Sequence, residues 1–226
     1  MGETLGQLRA TQVMGKELHD STDAPAGTID DLLVDPGSGR VVSAEVTLGG
    51  PRVTGNQHVL IAWTQLRPDT PVGAGYRVDL TPQALNAAPN YGAEAASRSG
   101  DIDVKTGLLG REAVSAKDET LGTVADIVFE KEDGKVDLLL VSVGTGVPGT
   151  NLPRAVAWDK LALPQKQDGK LVLRESPQQV ASAPQFGLKA QRRPGEASPP
   201  APVPSQQNAP LQFGTVAPSQ TPKWPR

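Results

Sequence analysis

Residues 26–35 read AGTIDDLLVD, and residues 121–130 read LGTVADIVFE. In each, a Gly-Thr pair enters a run dominated by β-branched and other apolar residues, which is strand composition. The marker residues recur at a spacing of 95, as with Gly27 and Gly122, Thr28 and Thr123, and Asp31 and Asp126. A fixed long period of this kind marks a duplicated structural unit.

The spacing holds in both directions from that stretch. VMGKEL from Val13 returns as LLGREA from Leu108, and the IAW of Ile61–Trp63 returns as the VAW of Val156–Trp158. TPQALNAAPNY from Thr81 returns as SPQQVASAPQF from Ser176, pairing Pro89 with Pro184 and Tyr91 with Phe186. The chain therefore divides into an N-terminal arm (1–12), a first copy (13–91), a small polar linker (92–107), a second copy (108–186) and a tail (187–226).

Within the second copy, Thr123–Phe129, a turn at Asp133-Gly134 and the apolar run Val136–Val143 predict a β-hairpin. The first copy repeats it as Thr28–Val34, a turn over Pro36–Gly39, and Val41–Leu48. Further strands are expected at 58–63, 76–80, 153–158 and 170–174, and a short helical turn before each Ala-Pro. Many short strands with Gly, Pro and Asp at their corners predict an all-β fold, two small barrels in tandem. Closure of each barrel is expected because an open sheet would leave unpaired edges. So small a unit buries a modest core, so the copies are expected to pack together.

The ordered set G-[KR]-E, G-T-[IV]-x-D, a glycine turn, a long apolar strand, [VI]-A-W and P-Q-x-[LV]-x-x-[AS]-P-x-[FY] resembles the PRC-barrel family. That family includes the barrel of the photosynthetic reaction-centre H subunit and a module of ribosome-maturation factors. The resemblance covers both copies and leaves linker and tail unexplained. It implies a non-catalytic structural or adaptor subunit docking peripherally on a bacterial membrane protein complex, a photosynthetic reaction centre being the first candidate. The alternatives are a free-standing periplasmic or stress-related protein, and an RNA- or ribosome-associated module.

Composition narrows these classes. The net charge of −3 and the absence of a basic stripe oppose nucleic acid as a partner. No cysteine is present, so thiolate chemistry and cysteine metal sites are excluded. The densest apolar run, Leu138–Val143, is far shorter than the ~18 residues of a membrane helix. MGETLGQLRATQ lacks the charged and apolar regions of a signal peptide, so a cytoplasmic location, peripheral on the inner membrane, is expected; a replaced leader would make it periplasmic.

No catalytic, cofactor-binding or metal-binding residues are assigned. His19 and His58 both fall in the first copy without matched partners. Asp30-Asp31 and Asp126 are read as capping or bridging a turn, with Asp30 and Asp31 on opposite faces of a strand. Trp63 and Trp158 are read as barrel core, each indole N–H satisfied at the rim. The stretches Gly49–Asn56 and Gly144–Asn151 do not have phosphate-loop spacing and are read as mobile hairpin loops open to a partner.

From Gly187 the composition changes. Nine of the last 40 residues are proline, which excludes helix and ladder, so the tail is expected to be extended or disordered. It carries a net charge of +4, leaving −7 on the preceding residues. Leu211, Phe213, Val216 and Trp224, with Arg192 and Arg193, are its candidate partner-binding residues.

Overall fold

Strands begin where the β-branched runs begin and turn where glycine and aspartate permit. The computed structural model describes residues 6–50, 57–68, 75–91, 100–144, 153–162 and 169–187. Its elements run β1 (Gln7–Arg9), α1 (Ala10–Val13), β2 (Glu17–His19), β3 (Pro25–Asp35), β4 (Arg40–Leu48), β5 (His58–Ala62), β6 (Leu66–Pro68), β7 (Gly75–Val78) and α2 (Pro82–Asn86). The repeat follows as β8 (Ile102–Asp103), β9 (Glu112–Ser115), β10 (Thr120–Glu130), β11 (Val136–Ser142), β12 (Arg154–Ala157), β13 (Leu171–Leu173) and α3 (Pro177–Ser182). The all-β tandem architecture is the one the sequence predicts.

Alternation sets the faces. On β4, Ala44, Val46 and Leu48 are fully buried, while Ser43, Glu45 and Thr47 between them reach the outer side. The turn into β4 is held by Asp35, whose carboxylate accepts from the backbone N–H of Gly37 and Ser38, each at 3.0 Å. The closing helices recur for a similar local reason. Ser176 accepts from the Gln179 N–H at 3.3 Å, and the Gln179 side chain accepts from the Ser176 N–H at 2.8 Å. Pro177 starts that helix where no donor is needed, and Thr81 with Pro82 begins α2 likewise.

The first sheet has the order β5-β4-β3-β2-β7-β6 and the second β12-β11-β10-β9-β13. Parallel pairing places Leu18 opposite Tyr76 and Ala113 opposite Leu171, the same contact 95 residues apart. Closure takes a different form from the one expected. Among the described residues no ladder joins the ends of either order. A single helical turn over Trp63–Gln65 instead carries β5 straight into β6, and Trp158–Lys160 carries β12 to Leu161, which bridges Leu173. Each sheet is thus a curled half-barrel, its ends meeting at a corner through the continuous chain in the first copy and through the Leu161–Leu173 bridge in the second.

The segments that lead into each copy pair with the other one. β1 lies antiparallel on β10, with Arg9 opposite Val128, and β8 lies on β3, with Asp103 opposite Leu33. The residues expected as arm and linker thus supply a strand and a helical turn to the opposite sheet. Here the spacing is 94, not 95, because the second leader has lost nothing from its strand but one residue has been added to its turn. α1 closes with Met14 N–H on the Ala10 carbonyl, whereas Leu109 N–H reaches one residue further back, to Val104, both at 2.9 Å. The turn Val104–Leu108 is a π-helical turn, and it absorbs the extra residue without shifting either copy.

One continuous apolar core spans both copies, with Val13, Ile29 and Val46 in the same cluster as Leu108, Ile127 and Leu139. Trp63, 3% exposed, stands edge-on to Phe129 of the second copy with ring centroids 5.1 Å apart, and its indole N–H donates to the Lys131 carbonyl at 2.9 Å. Both tryptophans are buried as expected, but at the junction of the copies. The hairpin tips cross there: Val41 N–H donates to the Gly134 carbonyl at 2.8 Å, and Val136 N–H to that of Gly39 at 2.9 Å. Gly39 and Gly134 have φ of +64° and +72°. A Cβ on Gly39 would lie 2.7 Å from the Trp158 indole nitrogen, and one on Gly134 would run into the Val41 carbonyl oxygen.

These tips call for glycine on two counts, conformation and space. Gly110 also has positive φ, +74°, but a Cβ there meets nothing within 4 Å. Chemical denaturation is expected to show Gly110→Ala costing about 1 kcal/mol and Gly134→Ala about 3 kcal/mol, since only the second adds overpacking to the left-handed strain. Equal losses would mean that the crossing of the tips contributes nothing.

Candidate interaction surface

The two aspartates of the defining motif lie where the leaders cross over. Each follows a β-bulge, between Ile29 and Asp31 in β3 and between Val124 and Asp126 in β10. Asp126 is 4% exposed, and its Oδ1 accepts the N–H of Thr11 at 3.2 Å and of Ile127 at 2.9 Å. The Thr11 hydroxyl donates to Oδ2, and Arg9 stands 4.0 Å away. Asp31, equally buried, accepts from the Lys105 N–H at 2.8 Å and the Leu32 N–H at 2.7 Å. The aspartates therefore hold a turn, as read from the sequence, but the turn belongs to the opposite copy.

Their electrostatics differ. Burial raises the Asp126 carboxyl above its ordinary value, opposed by the Thr11 donors and by Arg9. For Asp31 burial pushes the carboxyl up to about 6, and Asp103 and Glu45 add repulsion that the N–H donors of Lys105 and Leu32 only partly offset. At the register position where the second sheet receives Arg9, the first receives Asp103.

The bulge also corrects the expectation that Asp30 and Asp31 point to opposite faces. Both line one recess of about 320 Å³ with Glu45, Thr47, His58, Lys105 and Thr106. His58 Nδ1 is 3.3 Å from Glu45 Oε1 and 3.9 Å from Asp30 Oδ2, and the Thr47 hydroxyl donates to Asp30. Burial raises the Glu45 carboxyl, with His58 opposing, and burial likewise raises that of Asp103. A strap crosses β5 beside this recess, its Tyr91 N–H donating to the His58 carbonyl at 2.5 Å. The Tyr91 hydroxyl is buried without a hydrogen-bond partner among the described residues, and burial with the surrounding carboxylates pushes it up to about 12.

The same face of the second copy is apolar. Val128, Leu140, Ala155 and Phe186 form a separate cluster on it, with Leu138 against its edge. The corresponding strap holds β12 through Phe186 N–H to the Pro153 carbonyl at 2.7 Å and Ala155 N–H to that of Pro184 at 2.9 Å.

Elsewhere, a cleft of about 580 Å³ lies between the leader and the β6–β7 edge and is lined by Leu8, Met14, Pro68, Tyr76, Lys16 and Lys131 among others. His19 stands 3.7 Å from Glu17, far in sequence from His58 and on a different strand. Among the described residues no group of three His, Cys, Asp or Glu side chains is arranged to hold a metal ion, and no helix is long and apolar enough to cross a membrane. Of the two glycine stretches only Gly49, Gly50 and Gly144 are described, and Leu211, Phe213, Val216, Trp224, Arg192 and Arg193 lie outside the described residues.

Two curled half-barrels in tandem, exchanging their leading strands over one apolar core, define the architecture. The family model of the PRC-barrel domain matches residues 5–76 and again 106–176. The chain belongs to the PRC-barrel family. No curated protein matches it by sequence.

The raised Asp31 carboxyl makes stability depend on pH in a definite direction. The folded state holds this proton more tightly than the unfolded chain, from an ordinary value of 3.8 up to about 6, so stability is lost as pH rises across that window. Asp31→Asn keeps an acceptor for Lys105 and Leu32 and removes the charge. Thermal melts between pH 4 and 7 are expected to show the wild-type Tm falling relative to Asp31→Asn. Parallel curves would mean that Asp31 is not buried as a carboxylate.

Proposed function

We propose that this protein is a non-catalytic adaptor that docks peripherally on a bacterial membrane protein complex at its cytoplasmic face, with a photosynthetic reaction centre as the first candidate. The observation that carries the reading is the divergence of the two outer faces over a common interior. Glu45 and Leu140 occupy matching places, as do Ser43 and Leu138, while the two copies share one apolar core. Surfaces that differ on one scaffold suit recognition of different neighbours.

The tail supplies a second means of attachment. Leu211, Phe213, Val216 and Trp224 are spaced apolar anchors, and Arg192 and Arg193 add charge opposite in sign to that of the body. On this reading the anchors serve as hot spots on a partner, and proline, whose φ is fixed by its ring, loses less entropy on docking than other residues.

The test is capture of partners from membranes in mild detergent with the full chain, beside a chain ending at residue 186. The shortened chain is expected to melt at an unchanged Tm and to bind its membrane partner at least tenfold more weakly; the Phe213→Ala, Trp224→Ala pair is expected to reproduce most of that loss. Undiminished binding would remove the tail from the reading, and co-sedimentation with ribosomal particles in place of membrane capture would overturn the reading itself.

A further inference from the structure

We infer that the cleft between the first copy's leader and its β6–β7 edge receives an acidic segment of a protein partner, a carboxylate side chain flanked by apolar ones. The inference rests on the adaptor reading and names what one of its surfaces takes. The polar groups around the cleft are weighted toward donors. Lys16 and Lys131 line it and no carboxylate of a described residue does, although the residues preceding the tail carry a net charge of −7. Gln12 lines it as well; its carbonyl oxygen accepts from the Arg9 N–H at 3.2 Å, which leaves its amide donors for a ligand. Leu8 and Met14 are half-buried against the core and, with Pro68, supply the apolar part of the wall.

Tyr76 is a second and independent sign. It lines the cleft at 5% exposure, its ring packs on Trp63 with centroids 6.1 Å apart, and no hydrogen bond from a described residue reaches its hydroxyl. Burial pushes that hydroxyl up to about 12, so it keeps its proton and remains a donor. A donor this withdrawn, with no acceptor of the protein's own, suits an incoming carboxylate.

The second copy shows the same place closed. Arg111, 95 residues on from Lys16, donates from Nε to the Thr106 carbonyl and from Nη1 to the Gly169 carbonyl, each at 3.1 Å. It thus spans from the leader's turn to the residues before β13, and a Cβ on Gly169 would strike the guanidinium. Leu171 stands there in place of Tyr76, and Pro36 in place of Lys131. Where the second copy fills this place with its own side chain, the first leaves about 580 Å³, within the roughly 300–1,000 Å³ of sites that take ligands of about tripeptide size. The cleft lies between a leader and a sheet edge, so a chain can enter and leave it, which favours a peptide segment over a small acid that needs enclosure.

The experiment is an NMR titration of the full chain with acetyl-Leu-Glu-Leu-amide at low ionic strength, following backbone amides. Saturable shifts are expected at Leu8, Met14, Tyr76 and Lys131, with none at Leu109 and Leu171, the positions matching Met14 and Tyr76. The analogue with glutamine in place of glutamate is expected to bind at least fivefold more weakly. Lys131→Met is expected to weaken binding about fivefold and Tyr76→Phe about threefold, both at unchanged Tm. Should Tyr76→Phe lower the Tm, Lys131→Met decides. Lys117→Met, at an exposed lysine of the second copy, is the control and should change nothing. Unsaturable shifts, equal binding by the glutamine analogue or by Lys131→Met, equal shifts in the second copy, or octanoate saturating the same amides in preference to the peptide would overturn the inference. Should peptide binding fail while loss of the tail still weakens membrane capture, the adaptor reading stands and this one falls.

Discussion

A carboxylate withdrawn from water must find donors, and in this protein each copy's buried aspartate finds them on the leader of the other. Asp126 is met by Thr11 and Arg9, and Asp31 by the backbone of Lys105. The rest of the architecture follows from that exchange. It fixes β1 on β10 and β8 on β3, brings the hairpin tips across one another at Gly39 and Gly134, and joins two small cores into one. Two sheets of this size would each bury little alone; together they share Trp63, Phe129 and the leaders' apolar residues.

Within that near-symmetric frame the asymmetry is electrostatic. The inner faces are alike, whereas outside one copy gathers Asp30, Glu45 and His58 and the other Leu138, Leu140 and Phe186. The exchange even inverts the charge delivered to each aspartate, Arg9 to one and Asp103 to the other. Duplication thus leaves one copy free to keep a sealed exterior while the other exposes polar groups whose desolvation weakens the fold.

How much of this could be read in the sequence depends on how local the determining interaction is. The hairpins were legible because alternation along β3 and β4 and the glycine turns act over a few residues. The parallel pairing of β2 with β7 joins three-residue segments far apart in the chain, too short to carry a periodic signal. The exchange was hidden twice over. QLR and ID look like parts of an arm and a linker, and the one residue taken up by the π-helical turn breaks the 95-residue spacing at the place where it would have revealed them. Asp30-Asp31 stood out as a pair, but only the bulge turns both toward one recess, and a bulge has no composition of its own. Glu45 against Leu140 and Tyr91 against Phe186 were visible by aligning the copies; without the register they could not be placed on one face.

The crossing of the leaders has a topological consequence. A lone copy would be missing a strand of its sheet and would carry, on its own leader, the strand that another copy lacks, so two unlinked copies could complete each other as fully as two joined ones do. Covalent linkage changes the molecularity of that completion: an association governed by dilution becomes a unimolecular closure governed by effective concentration. In that sense the protein is a homodimer's contact pattern written along a single polypeptide, and fusion is what permits its halves to carry different exteriors.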